Sequence, residues 1–175
     1  MNKNTKIVIA VIIILTVTVA ILAVLNRDYI AEKKAMQKNG TFIIITNSKK
    51  YTVTMDDINS LNPHIIEANY KPSSSNSPAQ KQFTGVSFKS LLDYFGVDYS
   101  SAKSVSFTAA DGYASALPIA DALDESNCFI VIEEDGKLLG TKESGGKGPF
   151  MMILATDQFS QRWCKFLLEA EIKGD

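Results

Sequence analysis

An uninterrupted apolar stretch, Ile7 to Leu25, constrains this chain more than any other feature. Its 19 residues carry no charge: fourteen are Ile, Leu or Val, three are Ala and two are Thr. At about 1.5 Å per helical residue the stretch spans roughly 28 Å, close to the thickness of the hydrocarbon core of a bilayer. Insertion of so many large aliphatic side chains into lipid is favourable. We therefore expect a helix that crosses a membrane.

The same stretch also has the layout of a secretory signal, because Lys3 and Lys6 precede it. It is long for a signal core, and its far end, Ala23 to Arg27, lacks a small-x-small cleavage pattern. A retained signal anchor is the favoured interpretation, and a cleaved signal is the alternative. Both interpretations place the folded part of the chain outside the cytoplasm, and the favoured one, a retained anchor, holds it at the cell membrane.

The predicted boundaries follow the changes in composition. Residues 1–6 form a cytoplasmic tail, residues 7–25 the transmembrane signal anchor, residues 26–40 a charged helical stalk ended by Gly40, and residues 41–173 one folded domain. With 18 basic and 19 acidic residues, the chain lacks the basic surface of a nucleic-acid-binding protein. The expected partners are the membrane and a redox or surface protein located in it.

Short helices scattered among strands predict an α+β domain with a mixed β-sheet. Thr54 and Ser87 are predicted to cap two of the helices. A Pro- and Ser-rich run from Tyr70 to Gln82 predicts a mobile loop, and Thr141 to Gly148 a glycine-rich loop. The predicted strands are Thr41–Thr46, Tyr51–Val53, Val105–Ala109, Tyr113–Leu117, Phe129–Ile132, Phe150–Leu154 and Cys164–Ile172.

Four stretches of the chain carry turn and core motifs in a fixed order. They are Phe83-Thr84-Gly85-Val86 with Leu91-Leu92, Val105 through Asp111-Gly112-Tyr113 to Pro118, Asp135-Gly136 through Gly146 and Gly148 to Pro149, and Lys165-Phe166 to Ile172. Taken together, and in this order, they resemble the oxidoreductase molybdopterin-binding domain family, which has the fold of sulfite oxidase. The resemblance spans residues 83–172.

The resemblance implies a pterin-bound molybdenum that transfers oxygen atoms or electrons. It also implies a cofactor pocket, whose candidate residues here are Thr84, Tyr113, Gly146, Lys147 and Lys165. In that family a cysteine upstream of the Thr84-Gly85 motif supplies the soft thiolate that holds the metal. The corresponding segment, Ile65 to Tyr70, has no cysteine. The family's phosphate-binding arginine corresponds to Met151, which carries no charge.

Because both groups are missing, we assign no catalytic residue and no metal ligand, and molybdopterin is implied by resemblance alone. The favoured function is an extracytoplasmic ligand-binding or accessory module that keeps a remnant pocket. The alternative is a molybdopterin- or haem-dependent oxidoreductase that transfers electrons or oxygen atoms without the usual cysteine. A purely structural surface domain is the third hypothesis.

Other catalytic chemistry is limited by the residues available. His64 is the only histidine, which excludes a His-based triad and a multi-histidine metal site. Cys128 and Cys164 lie in predicted strands, in a compartment that permits disulfides. A bridge requires those strands to be neighbours, and two separate buried thiols are equally compatible with the sequence. The chain has no P-loop, no dinucleotide fingerprint and no CxxC motif.

Overall fold

The N-terminal part of the computed structural model, which describes residues 2–71 and 77–174, is a single long helix. Helix α1, Lys3–Asn39, contains the whole apolar stretch and continues through the charged segment for which the sequence predicts a helical stalk. It ends, as predicted, where Gly40 adopts a left-handed φ of +61°. Within the described residues it is the one helix long and apolar enough to cross a membrane, a property that an N-terminal signal sequence shares.

The chain divides into two compact units, and the boundary lies inside α1 between Ala35 and Met36. The second unit therefore includes the last turn of this helix, where Gln37 is buried. Thr41 Oγ1 donates a hydrogen bond to the carbonyl oxygen of Met36 at 3.4 Å. The folded unit thus begins before the first strand, within the end of the helix.

The second unit is α+β in its described part, as predicted, with short helices among strands. The helices are α2 Met55–Ser60, α3 Phe88–Tyr94 and α4 Ile119–Ala122, with a 3₁₀ turn at Ser160–Arg162. The strands are β1 Thr41–Ile45, β2 Lys50–Thr54, β3 His64–Tyr70, β4 Ala79–Ser87, β5 Ser104–Ala109, β6 Ala114–Pro118, β7 Cys128–Glu134, β8 Lys137–Leu138, β9 Met151–Leu154 and β10 Leu167–Lys173.

The first sheet has the strand order β2-β1-β10-β5-β6 and is mixed. Strands β1 and β10 run parallel, with Ile44 opposite Ala170, while the other neighbours are antiparallel. Strands β5 and β6 form the hairpin that Asp111-Gly112 predicts, with Gly112 at φ +88°. Buried residues of β5 alternate with half-buried ones, which confirms the predicted period of two.

The second sheet is antiparallel, with the order β3-β4-β7-β8, and β9 also pairs with β7. Strand β7 is the central strand that its apolar sequence predicts, because its first five residues are all buried. A register shift between Thr84 and Gly85 marks a bulge in β4. The strands approach closely there, since a Cβ on Gly85 would lie 2.2 Å from the carbonyl oxygen of Ile130.

Two edge-to-face pairs of fully buried aromatic rings lie in the core. Phe42 and Phe150 have ring centroids 5.0 Å apart, and Phe88 and Phe107 have centroids 4.9 Å apart. Phe42 belongs to the first sheet and Phe150 immediately precedes β9 of the second, so this pair joins the two sheets. Such pairs contribute about 0.5–1.5 kcal/mol beyond the burial of their area.

The two predicted helix caps are confirmed. Thr54 and Asp57 form a full capping box before α2: Thr54 N donates to Asp57 Oδ2 at 2.8 Å, and Asp57 N donates to Thr54 Oγ1 at 3.3 Å. Ser87 Oγ accepts from Ser90 N at 3.0 Å at the start of α3. Local sequence therefore sets both helix starts.

Two predicted elements are wrong in extent. The loop predicted from Tyr70 to Gln82 is shorter, because its two ends belong to β3 and β4, which pair as a hairpin; residues 72–76 lie outside the described residues. The strand predicted from Cys164 to Ile172 begins only at Leu167. Phe166 has a φ of +55°, and a bulge between Leu167 and Glu169 shifts the register, so the predicted alternation is interrupted.

Candidate functional site

Lys147 and Lys165, two of the predicted pocket residues, meet at a tyrosine outside the predicted set. Lys165 Nζ donates a hydrogen bond to Tyr70 Oη at 2.9 Å. Lys147 Nζ lies 4.2 Å from the centroid of the Tyr70 ring, and Lys165 Nζ lies 5.1 Å from it. Both distances are within the range of a cation–π interaction. Two ammonium groups therefore converge on one aromatic ring.

Tyr70 is the last residue of β3, and its side chain is directed inward. Ile66, Ala68 and Tyr70 are the buried residues of that strand, and the residues that alternate with them are exposed. The Tyr70 ring stacks on Trp163, with centroids 5.8 Å apart and planes inclined by 28°. Only 6% of Tyr70 is exposed. The indole and the two ammonium groups thus surround a ring that is almost fully removed from water.

Carboxylates balance the charge of Lys147. Its ammonium forms an ion pair with Glu134, and Glu134 Oε1 also lies 3.7 Å from Lys81 Nζ. Lys81 forms a second ion pair with Asp135. The hydrogen bond from Lys81 is the main cause that lowers the pKa of the Asp135 carboxyl, followed by a hydrogen bond from the backbone N–H of Gln82. The four charged groups form one network of alternating sign.

Lys165 has no such carboxylate. In the described part of the chain, no carboxylate oxygen is recorded within 4.0 Å of its ammonium group. The side chain is partly buried, so it loses some of its contact with water. The Tyr70 hydroxyl is the acceptor that offsets this loss.

The remaining predicted residues, Thr84, Tyr113 and Gly146, make no hydrogen bond or ring contact with Tyr70 among the described residues. Thr84 lies at the bulge of β4, and Tyr113 Oη donates to the carbonyl oxygen of Gln161 at 2.8 Å. Gly146 is required by close packing, because a Cβ there would lie 2.1 Å from the carbonyl oxygen of Leu139. The structure therefore brings the two lysines together and leaves Thr84 and Tyr113 outside their contacts.

The glycine-rich segment Thr141–Gly148 uses its own backbone donors. Phosphate-binding loops direct successive N–H groups at the anion. In this segment the N–H groups donate within the chain: Ser144 to Thr141 O at 3.2 Å, Gly145 to Lys142 O at 3.1 Å, Gly146 to Thr141 O at 2.8 Å, Lys147 to Leu139 O at 2.9 Å and Gly148 to Gly140 O at 2.8 Å. These bonds hold the loop in shape and leave those donors unable to cradle a phosphate.

A cavity of about 370 Å³ lies beside this segment. Its walls are formed by the end of the glycine-rich loop and by the β7–β8 turn: Glu134, Asp135, Lys137, Leu138, Leu139, Gly145, Gly146 and Lys147. Side chains of both charges face it, so it can receive a small polar molecule. Of the five predicted pocket residues, Gly146 and Lys147 line it.

Cys128 and Cys164 are both free thiols in the structure, and both are fully buried. Cys128 pairs with Leu154 of β9, while Cys164 forms an isolated bridge with Met152 of the same strand. Strand β9 therefore separates the two cysteines, and the disulfide that the sequence left open is not formed. Burial raises the pKa of the Cys128 thiol and raises the pKa of Cys164 to about 12. Both thiols are protonated at neutral pH and poorly suited to bind metal.

The donors around the two lysines do not fit a molybdenum centre. The inward side chains of β3 are Ile66, Ala68 and Tyr70, and none of them can supply a thiolate. The described residues contain no group of three His, Cys, Asp or Glu side chains able to hold a metal ion. Met151, the counterpart of the expected phosphate-binding arginine, is fully buried. The position expected to hold the metal-ligating cysteine therefore offers no thiolate, and Met151 offers no positive charge to a phosphate.

Tyr70, Trp163 and Glu134 are the residues of this cluster that sequence reasoning missed. The available signal was the alternation Ile66, Ala68, Tyr70, which is typical of a half-buried strand. The prolines and serines that follow Tyr70 favoured a loop and obscured it.

The folded part of the chain is similar to known proteins in sequence and in fold. Residues 43–173 match the family described as "Oxidoreductase molybdopterin binding domain". Among solved structures, the sulfane dehydrogenase SoxCD from Paracoccus pantotrophus is similar, with a TM-score of 0.61 and 14% sequence identity over 77% of this chain. This chain covers 38% of that protein chain, and the likeness shows a shared fold. No curated protein matches the sequence.

Proposed function

The chain belongs to the oxidoreductase molybdopterin-binding domain family, and on that premise we propose that it is a membrane-anchored, extracytoplasmic ligand-binding or accessory module without the family's molybdenum chemistry. The observation that carries the proposal is the inward face of β3. That face presents Ile66, Ala68 and Tyr70, so the strand that is expected to hold the ligating cysteine offers no sulfur donor. A site without a thiolate has no soft ligand for the metal.

The proposed topology is a single pass with the C-terminal domain outside the cytoplasm. Residues 1–6 form the cytoplasmic tail, residues 7–25 the retained signal anchor, residues 26–40 the stalk and residues 41–173 the molybdopterin-binding-like domain. The short basic tail before the charge-free apolar stretch of α1 supports this orientation. Alkaline phosphatase fused after residue 174 is expected to be active in bacteria, and green fluorescent protein at the same point is expected to be dark. The opposite pair of results would reverse the topology.

Retention of the anchor is tested separately. The intact mass of the membrane-extracted protein is expected to include residues 1–25. A shorter mass that begins after the apolar stretch would show that the helix is a cleaved signal.

The proposed ligand site of the module is the cavity beside Gly146 and Lys147, where Glu134 and Asp135 provide the opposite charge. A small polar molecule with both a cationic and an anionic group suits this lining. The wider remnant pocket, which would add Thr84, Tyr113 and Lys165, stays a prediction. The proposed partner is a redox or surface protein in the same membrane.

The decisive experiment uses the full-length chain, extracted in detergent from a host that makes the molybdenum cofactor. Metal content is measured by mass spectrometry and the visible spectrum is recorded, with a cysteine-containing family member from the same host as positive control. We expect molybdenum far below one atom per chain and no Soret band. Stoichiometric molybdenum or bound haem would instead establish the alternative, a molybdopterin- or haem-dependent oxidoreductase.

A further inference from the structure

The surroundings of the Tyr70 ring resemble a binding site more than an ordinary core position. A buried tyrosine needs one hydrogen-bond partner for its hydroxyl and apolar contacts for its ring. Tyr70 has a stacked indole at 5.8 Å, an ammonium 4.2 Å from its ring centroid and a second ammonium 2.9 Å from its hydroxyl. We propose that Trp163, Lys147 and Lys165 form a recognition cage for a phenol ring, which Tyr70 of the same chain occupies.

Each of the three side chains of the cage recognises a different property of the ring that it surrounds. The indole of Trp163 selects a flat ring by stacking. The Lys147 ammonium selects an electron-rich ring by its cation–π contact. Lys165 selects a hydrogen-bond acceptor at the ring edge, and it has no carboxylate to satisfy it otherwise among the described residues. The chemical class that fits is a phenol.

The segment that carries Tyr70 is hydrogen-bonded to the segment that carries Trp163. Lys71, the residue after Tyr70, donates its N–H to Ser160 Oγ at 3.1 Å, and Ser160 Oγ donates to the Lys71 carbonyl oxygen at 3.2 Å. Ser160 begins the 3₁₀ turn that leads directly to Trp163. This reciprocal pair holds the end of β3 against the segment that carries the indole. The cage is therefore closed to a free planar ligand in the native chain.

The inference rests on the proposed loss of the molybdenum site, and the two can fail separately. Molybdenum in the wild-type protein would overturn the proposed function, whereas the cage is tested by ligand response alone. Trp163 is the only tryptophan in the chain, so its fluorescence reports on the cage without a label.

The test uses full-length Tyr70→Ala protein in detergent, with p-cresol, an analogue of the tyrosine side chain, and toluene, which lacks the hydroxyl. We expect p-cresol to raise the Tm of the variant and to change Trp163 fluorescence at a concentration at least about tenfold lower than toluene, because its hydroxyl can accept the hydrogen bond from the charged Lys165 donor. The preference should disappear in a Tyr70→Ala/Lys165→Met double variant. Wild-type protein should not respond to either compound.

Phe83→Ala is the matched control, because Phe83 also contacts Trp163, at 5.3 Å between centroids, and no lysine of the described part of the chain lies over its ring. In that variant p-cresol and toluene should act equally. Equal action in Tyr70→Ala, or no response there, would overturn the cage. If Tyr70→Ala does not fold, the proposal is tested by a double-mutant cycle of Tyr70→Phe and Lys165→Met. Non-additive losses of Tm support the cage, and additive losses overturn it.

Discussion

The two sheets of this domain use their residues for different purposes. In the first sheet, the Asp111-Gly112 turn, the alternation in β5 and the parallel β1–β10 pair are all explained by folding. In the second sheet, charged and aromatic side chains gather at Tyr70, around a bulged strand and a glycine-rich loop. The comparison teaches that turn and core residues explain the first sheet, whereas the second sheet also carries a cluster of charged and aromatic side chains.

The largest expected effect is in the first sheet. Phe107 is fully buried and packs edge to face on Phe88. Phe107→Ala should lower the free energy of unfolding by about 4 kcal/mol, since it removes a large ring and leaves a cavity. Urea denaturation measures the loss, and native Trp163 fluorescence should stay unchanged. A changed fluorescence spectrum of the folded variant would show that the first sheet affects the surroundings of Trp163.

A backbone constraint in the second sheet comes next. Gly85→Ala should cost about 3 kcal/mol, because its Cβ would lie 2.2 Å from Ile130 O and 2.7 Å from Val131 Cα. Backbone atoms cannot move aside as a flexible side chain can. Gly174→Ala is the control, since the nearest atom to its Cβ would be Ser101 O at 3.4 Å. Similar urea midpoints for the two variants would contradict the assigned close approach.

Sequence patterns predicted the parts of this fold whose information is local. The Asp111-Gly112 hairpin and the Thr54 capping box each depend on a few neighbouring residues, and both are confirmed. The Tyr70–Lys165 hydrogen bond joins residues 95 positions apart. No local pattern encodes such a contact, so the two lysines were predicted without the ring between them. The positive φ of Phe166 was equally hidden, because nothing in its residue type favours that conformation.

The buried thiols make the next prediction, which concerns alkaline pH. The folded pKa of Cys164 is about 12, whereas an unfolded thiol titrates near 8.5. Stability is therefore complete below about pH 8.5 and falls as the pH rises toward the folded pKa. By pH 10 the loss from this thiol is about 2 kcal/mol. Cys164→Ala should flatten this dependence in urea titrations. An equally steep loss of stability with pH in the variant would contradict the raised pKa of Cys164.

The same thiols should be inert in the native protein. Iodoacetamide at pH 8 should modify neither cysteine until urea unfolds the chain, after which mass analysis should count two modified residues. Rapid alkylation of the folded protein would show that a thiol is accessible. A mass two units low without reductant would reveal a disulfide.

The smallest expected effect concerns Asp135, at the exposed edge of the charge network. Its pKa is lowered by the hydrogen bond from Lys81, so its contribution is present above the pKa of an unfolded carboxyl, about 3.9. That contribution is lost as the pH falls through the folded pKa. Asp135→Asn keeps a residue that tolerates φ +51°. The urea midpoints should differ slightly at pH 7, and the difference should shrink as the pH falls below about 3.9. A difference that does not shrink on acidification would contradict the charge assignment.

The place of β10 in the first sheet constrains when the chain can fold. Because β10 lies between β1 and β5, the hairpins β1–β2 and β5–β6 share no edge until residues Leu167–Lys173 have left the ribosome. Pairing of the earliest strand with the last one also closes a very long loop, which is slow. The first sheet therefore cannot be completed until β10 has been synthesised. That delay suits a protein that we propose is threaded through a membrane channel before it folds.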